Sequence, residues 1–347
     1  ISLFVGALLF TQIFQGLHLK FADSLYTRNE PSQEMIIVAI DDFSTLAPPE
    51  GLGRYSNWSR ENYTKLLEIL REEDPKVIGF DIIFSKPTDE KIDQALADKF
   101  KELNNVVLGF ISNPILPIYP IDEFKDNATI AFADAEADKD GILRRSNTEA
   151  YVQEDDKTYD SLALAIAKKY LDKDKIDLPL ENEKMQVNYF ADSFGQQTIP
   201  FIDVVNKKFP QGLFKDKIVL VGLMTFREID DRITTPKDSS ILMPGVEVWA
   251  NEIQTIIEGK FLTNQSQFSQ IVTIAAIAIT LTIALNYLGI IFSILLTFVA
   301  IIAYIFAAHF FYRKGIIINM VYPFIAIILT YLASWVYKYF IADKSKR

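Results

Sequence analysis

The sequence predicts an α/β domain, its mixed and mostly parallel sheet flanked by helices, joined to an α-helical membrane domain of four spans. Three observations carry that reading. Unbroken apolar runs such as Met35–Ile40 (MIIVAI), Lys76–Phe84 (KVIGFDIIF) and Lys217–Gly222 (KIVLVG) have the length and composition of strands buried on both faces. Stretches with apolar residues at helical spacing alternate with those runs, which is the order that builds a parallel sheet with right-handed crossovers. Finally, the 70 residues from Phe268 to Tyr337 carry only two formal charges, Arg313 and Lys314. Such a segment belongs in lipid rather than water.

Taken in order, Ile1–Leu17 (ISLFVGALLFTQIFQGL) has no charge and reads as the first transmembrane helix, at the short limit for a span. The chain does not begin with Met, and this span is expected to continue upstream. A signal peptide is the competing reading, but no small-residue cleavage site follows. Residues 18–262 form the polar domain. Met35–Ile40 is its first strand and ends in Asp41-Asp42. A loop rich in Pro, Gly and Ser leads to a helix from Glu61 to Glu73, where Tyr63, Leu66, Leu67 and Leu70 share a face and Pro75 stops it. Lys76–Phe84 is the next strand, with Asp81 inside it. Thr88 is expected to cap a second helix whose buried stripe is Ile92, Ala95, Leu96, Phe100 and Leu103. Val106–Phe110 follows as a strand.

Thr129–Ala133 and Leu143–Val152 read as strands around the turn Asp138-Lys139-Asp140-Gly141. Ser161–Leu171 reads as a helix started by Asp160, Met185–Phe190 as a strand, and Lys217–Gly222 as a buried strand. A helix from Val246 to Glu258 places Val246, Trp249, Ala250, Ile253 and Ile257 on one face, with Gly259 just past its end. Three spans follow at 270–288, 290–311 and 316–337, each long enough to cross a hydrocarbon core of about 30 Å. Trp335, Tyr337, Tyr339 and Tyr312 lie near span ends, at headgroup depth. Two spans with one re-entrant pair is the rival count, because Asn286–Gly289 is a very short turn.

Charge sets orientation and excludes several functions. Residues 18–267 hold 44 acidic and 29 basic side chains, whereas residues 268–347 hold one acidic and six basic. One span before the domain and three after it put both ends on one side. The cluster Lys338, Lys344, Lys346 and Arg347 assigns that side to the cytoplasm of the plasma (inner) membrane, which leaves the large domain extracytoplasmic. An acidic domain repels phosphate, so nucleic acid is not an expected partner. The chain has no cysteine, which excludes disulfides, thiolate catalysis and cysteine-bound zinc. The two histidines, His18 and His309, lie in or beside spans, and no Ser-His-Asp set or phosphate-cradling glycine loop is visible in the polar domain. The spans hold almost no ionisable residue, which argues against a channel or transporter.

Six stretches carry a resemblance to a known family. They are Ile36–Asp42, Trp58-Ser59-Arg60, Val77–Phe84, Asp138–Arg145, Lys217–Gly222 and Met243–Asn251 (MPGVEVWAN). In this order, between one span and three, they resemble the CHASE domain of type 2, the cyclases/histidine kinases associated sensory extracellular family. The resemblance covers nearly the whole polar domain. It implies an extracytoplasmic sensor that controls a cytoplasmic output, with residues 338–347 as the start of a linker to that output. A class III adenylate or guanylate cyclase is the favoured output. A histidine or Ser/Thr kinase is the alternative, as is a structural docking domain that senses nothing. ATP with Mg or Mn would then be needed only in the output domain, with no cofactor in the present residues. A homodimer, an extracytoplasmic ligand of unknown identity and the lipid bilayer are the expected partners.

The ligand-binding candidates follow from position and charge. Asp41, Asp42 and Asp81 lie at or near the carboxyl ends of two strands, where open α/β sheets form their ligand crevice, and clustered carboxylates can bind Mg²⁺ or Ca²⁺. The alternative is local: Asp41 and Asp42 cap the loop, and Asp81 pairs with Arg60 or Arg54. Trp58 and Arg60 would supply an aromatic wall and an anion anchor, or else a packed ring and a structural ion pair. Arg144 and Arg145 would grip an anion or alternate across a strand, and Asp231, in Asp230-Asp231-Arg232, has the same ambiguity. No catalytic residue is assigned.

Overall fold

The computed structural model describes residues 1–26, 30–190, 193–227, 232–237, 240 and 242–344, with side chains up to Phe340. The chain divides into two compact units, Arg28–Phe261 and Ile1–Thr27 with Leu262–Arg347.

The first unit is built on six parallel strands: β1 (Met35–Ile40), β2 (Val77–Asp81), β3 (Val106–Phe110), β4 (Thr129–Phe132), β5 (Thr198–Pro200) and β6 (Ile218–Leu223). Their order across the sheet is β5-β1-β6-β2-β3-β4. The unbroken apolar character of β1 has a direct cause, since successive side chains point to opposite faces and both faces are covered. Ile36, Val38 and Ile40 pack with the helices Glu61–Glu73 and Glu90–Leu103, whereas Met35 and Ile37 pack with the helices Leu162–Leu171 and Gly245–Ile257. The domain is thus a three-layer α/β/α sandwich. Smaller antiparallel pieces lie outside the main sheet: Arg145–Asn147 with Lys184–Gln186, and Glu149–Val152 with Lys157–Asp160.

Several local expectations are corrected. Asp89, not Thr88, caps the Glu90–Leu103 helix by accepting from Lys91 N and Ile92 N, and Thr88 binds Asp93 instead. Ser161, not Asp160, caps the next helix, because its hydroxyl accepts from Leu164 N while Asp160 is held by Lys168. The expected strand Leu143–Val152 is two short strands, and Met185–Phe190 is a strand only to Gln186, after which the backbone turns to the Gly245–Ile257 helix.

In the second unit three helices are long and apolar enough to cross a membrane: Gln267–Tyr287, Ile290–Tyr312 and Val321–Phe340. The expected single span at 1–17 is instead a bent pair, Ser2–Thr11 and Gln15–Asp23, which meet at 89°. The break falls on Gln12, which adopts a left-handed φ of 53°. Val5 and Leu9 pack with Ile274, Tyr322 and Ala326, and Leu281 and Leu285 pack with Ile327. The last helix starts later than expected. Ile316–Ile317 pairs in parallel with Thr263–Asn264, and Asn319 caps the helix by accepting from Val321 N at 3.0 Å.

Candidate functional site

The carboxyl edge of the sheet gathers three of the expected residues. In register, Ala39 of β1, Gly222 of β6 and Asp81 of β2 stand abreast, and Asp41 and Asp42 follow two residues beyond. Asp41 folds back on its own loop, accepting from Ser44 N at 2.8 Å and Ser44 Oγ at 2.7 Å. Ser44 Oγ in turn accepts from Ile202 N at 3.2 Å, which ties this loop to the start of the short helix Phe201–Val205. Asp42 reaches across to the loop after β6 and accepts from Thr225 Oγ1 and from Phe226 N at 2.9 Å. The Thr225 hydroxyl is the main reason that the Asp42 carboxyl lies below its ordinary range, with the Phe226 amide and the nearby Arg227 adding to it against a smaller opposing effect of burial. Arg232 stacks over the Phe226 ring at 3.7 Å and donates to Met224 O at 3.0 Å, so its guanidinium closes the same rim.

Asp81 turns the other way. Its carboxylate accepts from Trp249 Nε1 at 3.2 Å, which links the edge of the sheet to the Gly245–Ile257 helix. The helix lies very close here. A Cβ placed on Gly222 would stand 2.7 Å from Val246 Cβ, so the close approach requires glycine at this position. Neither Arg60 nor Arg54 is the partner of Asp81. The three carboxylates do not converge on a point, and among the described residues no group of three or more His, Cys, Asp or Glu is placed to hold a metal ion.

The remaining candidates lie elsewhere. Arg60 is buried and pairs with Asp93 at 2.7 Å, donates to Lys86 O, and stacks on Phe124 at 4.7 Å. Burial alone would raise the Asp93 carboxyl, but hydrogen bonds from Thr88 and Arg60 hold it below its ordinary value. Trp58 packs on Phe201 at 4.9 Å and donates through Nε1 to Gly53 O at 2.9 Å. Arg144 is gripped by Asp138 at 3.0 Å and Asp140 at 2.8 Å, and Arg145 by Asp138 at 2.6 Å. These two guanidinium groups stiffen the Asp138–Gly141 turn. Asp231 lies outside the described residues.

Sequence reasoning missed the polar side of the Gly245–Ile257 helix. Every residue from Gly245 to Ile256 is buried, so the polar residues Glu247, Asn251, Glu252, Gln254 and Thr255 are enclosed with the apolar ones. Most are anchored. Glu247 accepts from Phe194 N at 2.9 Å, Asn251 Oδ1 from Phe190 N at 2.8 Å, Gln254 Oε1 from Ser32 N at 3.0 Å, and Thr255 Oγ1 from Asn188 N at 3.1 Å. Glu252 is the exception: its Oε1 has no partner, and burial pushes its carboxyl up to about 8, with a Ser146 hydrogen bond as a smaller opposing contribution. The spacing of 247, 251, 254 and 255 at i, i+4, i+7 and i+8 was the available signal, since it marks a second, polar face of one helix.

The profile of the CHASE2 domain matches residues 1–291, which takes in the sheet, the crevice edge, this helix and the first long span. The chain belongs to the CHASE2 family. CHASE2 is an extracellular sensory domain of signalling receptors, and here it is accompanied by three apolar helices. No curated protein and no solved structure matches the chain. In this CHASE2 domain the carboxylates of Asp41, Asp42 and Asp81 at the sheet edge are each engaged by a neighbouring hydroxyl, amide or indole N–H.

Proposed function

We propose that this CHASE2 chain is the sensory and transmembrane module of a receptor that controls a class III nucleotide cyclase following Arg347. In this reading the domain faces away from the cytoplasm, the bent N-terminal pair acts as one broken span, and the last helix delivers the signal to a paired catalytic output. The observation that carries it is the Asp81–Trp249 hydrogen bond of 3.2 Å. A ligand that enters the crevice and competes for Asp81 acts at once on the helix that leads, after residues 258–266, into the Gln267–Tyr287 span. A shift of that helix is the kind of small displacement that receptors pass on.

Two measurements test the proposal together. Residues 1–347 contain no cysteine, so Lys139→Cys in the exposed turn, in the full-length receptor, adds one label site there that is read against the unsubstituted receptor. A membrane-impermeant maleimide added to intact cells should modify it. Formation of cyclic nucleotide from ATP by the full-length receptor should then respond to candidate ligands, and Trp249→Phe should weaken that response. Labelling only after cell lysis, or phosphotransfer to protein in place of cyclisation, would refute the proposal.

A further inference from the structure

At one end of the membrane unit lies a largely apolar cleft, with a serine and a lysine in its wall, that the sensory reading does not use. The Gln267–Tyr287 helix ends, the chain turns at Leu288-Gly289, and the Ile290–Tyr312 helix begins without any side-chain cap. The first N–H groups of a helix have no acceptor within it and carry the positive end of its dipole. Lys338 of the last helix reaches this turn and donates to the carbonyls of Leu285 and Leu288. An ammonium has three N–H donors, so one is left over.

A small open cleft lies beside that turn, lined by Ile290, Ser293, Tyr331, Ser334, Trp335 and Lys338. Ser293 is only 6% exposed, and its hydroxyl has no hydrogen-bond partner. An unpaired hydroxyl in such a place is costly unless something binds it. From Gly259 to Ala342 the sequence contains no acidic residue. Asp23 belongs to the helix whose Phe21 packs on Phe324, near the opposite end of the last helix from Lys338. Among the described side chains no carboxylate lines the cleft, where Lys338 lies between the carbonyl end of the Gln267–Tyr287 helix and the amide end of the Ile290–Tyr312 helix. Exposed Tyr287, Trp335, Tyr337 and Tyr339 surround this end, which sets it at the depth of lipid headgroups.

We propose that the cleft between the start of the Ile290–Tyr312 helix and Lys338 binds the phosphate of an anionic phospholipid, with the Ser293 hydroxyl, the third Lys338 N–H and the first-turn amides as donors. The lipid would bridge the turn between the first two long spans to the last helix.

The test is native mass spectrometry of the full chain in neutral detergent, titrated with phosphatidylglycerol, phosphatidylcholine or inorganic phosphate. One phosphatidylglycerol should bind per chain, about tenfold or more tighter than phosphatidylcholine, the effect of a charge-assisted contact. Ser293→Ala should weaken it about tenfold and Lys338→Gln more, whereas Lys314→Gln, in the turn after the Ile290–Tyr312 helix, should change nothing. Ser293→Ala removes one hydroxyl and leaves the Lys338 contacts in place, so it decides the matter even if Lys338→Gln unfolds the bundle. Displacement of the lipid by millimolar phosphate would make a free anion the occupant and overturn the lipid assignment. Equal binding of phosphatidylglycerol by wild type and both cleft variants would overturn the site.

Discussion

Glu252→Gln is the perturbation that probes the buried helix of the sensory domain most directly. The Glu252 carboxyl has an ordinary value of 4.5 and is pushed up to about 8 by burial. The folded protein therefore holds this proton over a pH range in which the unfolded chain has released it. The stability associated with the protonated group is complete below about pH 4.5 and is lost as the pH rises through about 8. At about 1.4 kcal/mol per pKa unit, the loss between pH 5 and pH 8 is about 3 kcal/mol. Glutamine keeps the shape and the Ser146 contact but cannot ionise. Thermal unfolding followed by tryptophan fluorescence at pH 5, 6, 7 and 8, at one salt concentration, gives the comparison. The difference between variant and wild type should grow with pH, reaching roughly 5–10 °C at pH 8 for a unit of this size. Burial raises Glu247 too, but that residue is unchanged in both proteins and cancels in the difference. A difference that stays constant across the series would refute the assignment of Glu252 as a buried, protonated acid.

Two further predictions concern the packing of the α/β domain. Arg60→Met leaves Asp93 buried without its guanidinium partner at 2.7 Å, and urea unfolding should show a loss of about 3–5 kcal/mol, partly recovered by Asp93→Asn in the same chain. A loss under about 1 kcal/mol would show the pair to be dispensable. Gly222→Ala puts a Cβ 2.7 Å from Val246 Cβ, and the expected cost is about 1–3 kcal/mol. Val246→Ala in the same chain keeps Cβ but removes Cγ2, which would stand 2.9 Å away, and should relieve part of the cost; strict additivity of the two changes would argue against that second contact.

The central sheet was legible because strands covered on both faces must be apolar along their buried length, as β1, β3 and β6 are and as β2 is up to Phe80. The helix caps slipped by one residue where two cap-competent residues stand side by side, as at Thr88-Asp89 and Asp160-Ser161; only tertiary partners such as Asp93 and Lys168 decide between them. The bend at Gln12 and the strand at Ile316–Ile317 were hidden inside apolar runs, where composition outweighs the few polar residues that break a helix. The candidate arginines illustrate a different limit. Sequence places Arg60, Arg144 and Arg145 near acids but cannot say that Asp93, Asp138 and Asp140 already occupy them. Counting apolar stripes alone also made the Gly245–Ile257 helix look one-sided, although its polar face is enclosed just as fully.

That enclosure has a mechanical meaning. A rod gripped all round by close-packed neighbours, with its side-chain oxygens pinned by the backbone amides of Ser32, Asn188, Phe190 and Phe194, cannot drift by small degrees. It can only jump to another arrangement in which those pins find new holes. In the proposed reading, a signal that leaves the domain along this rod is a click between two settings and not a dimmer, with Gly222 as the narrowest point the rod must clear.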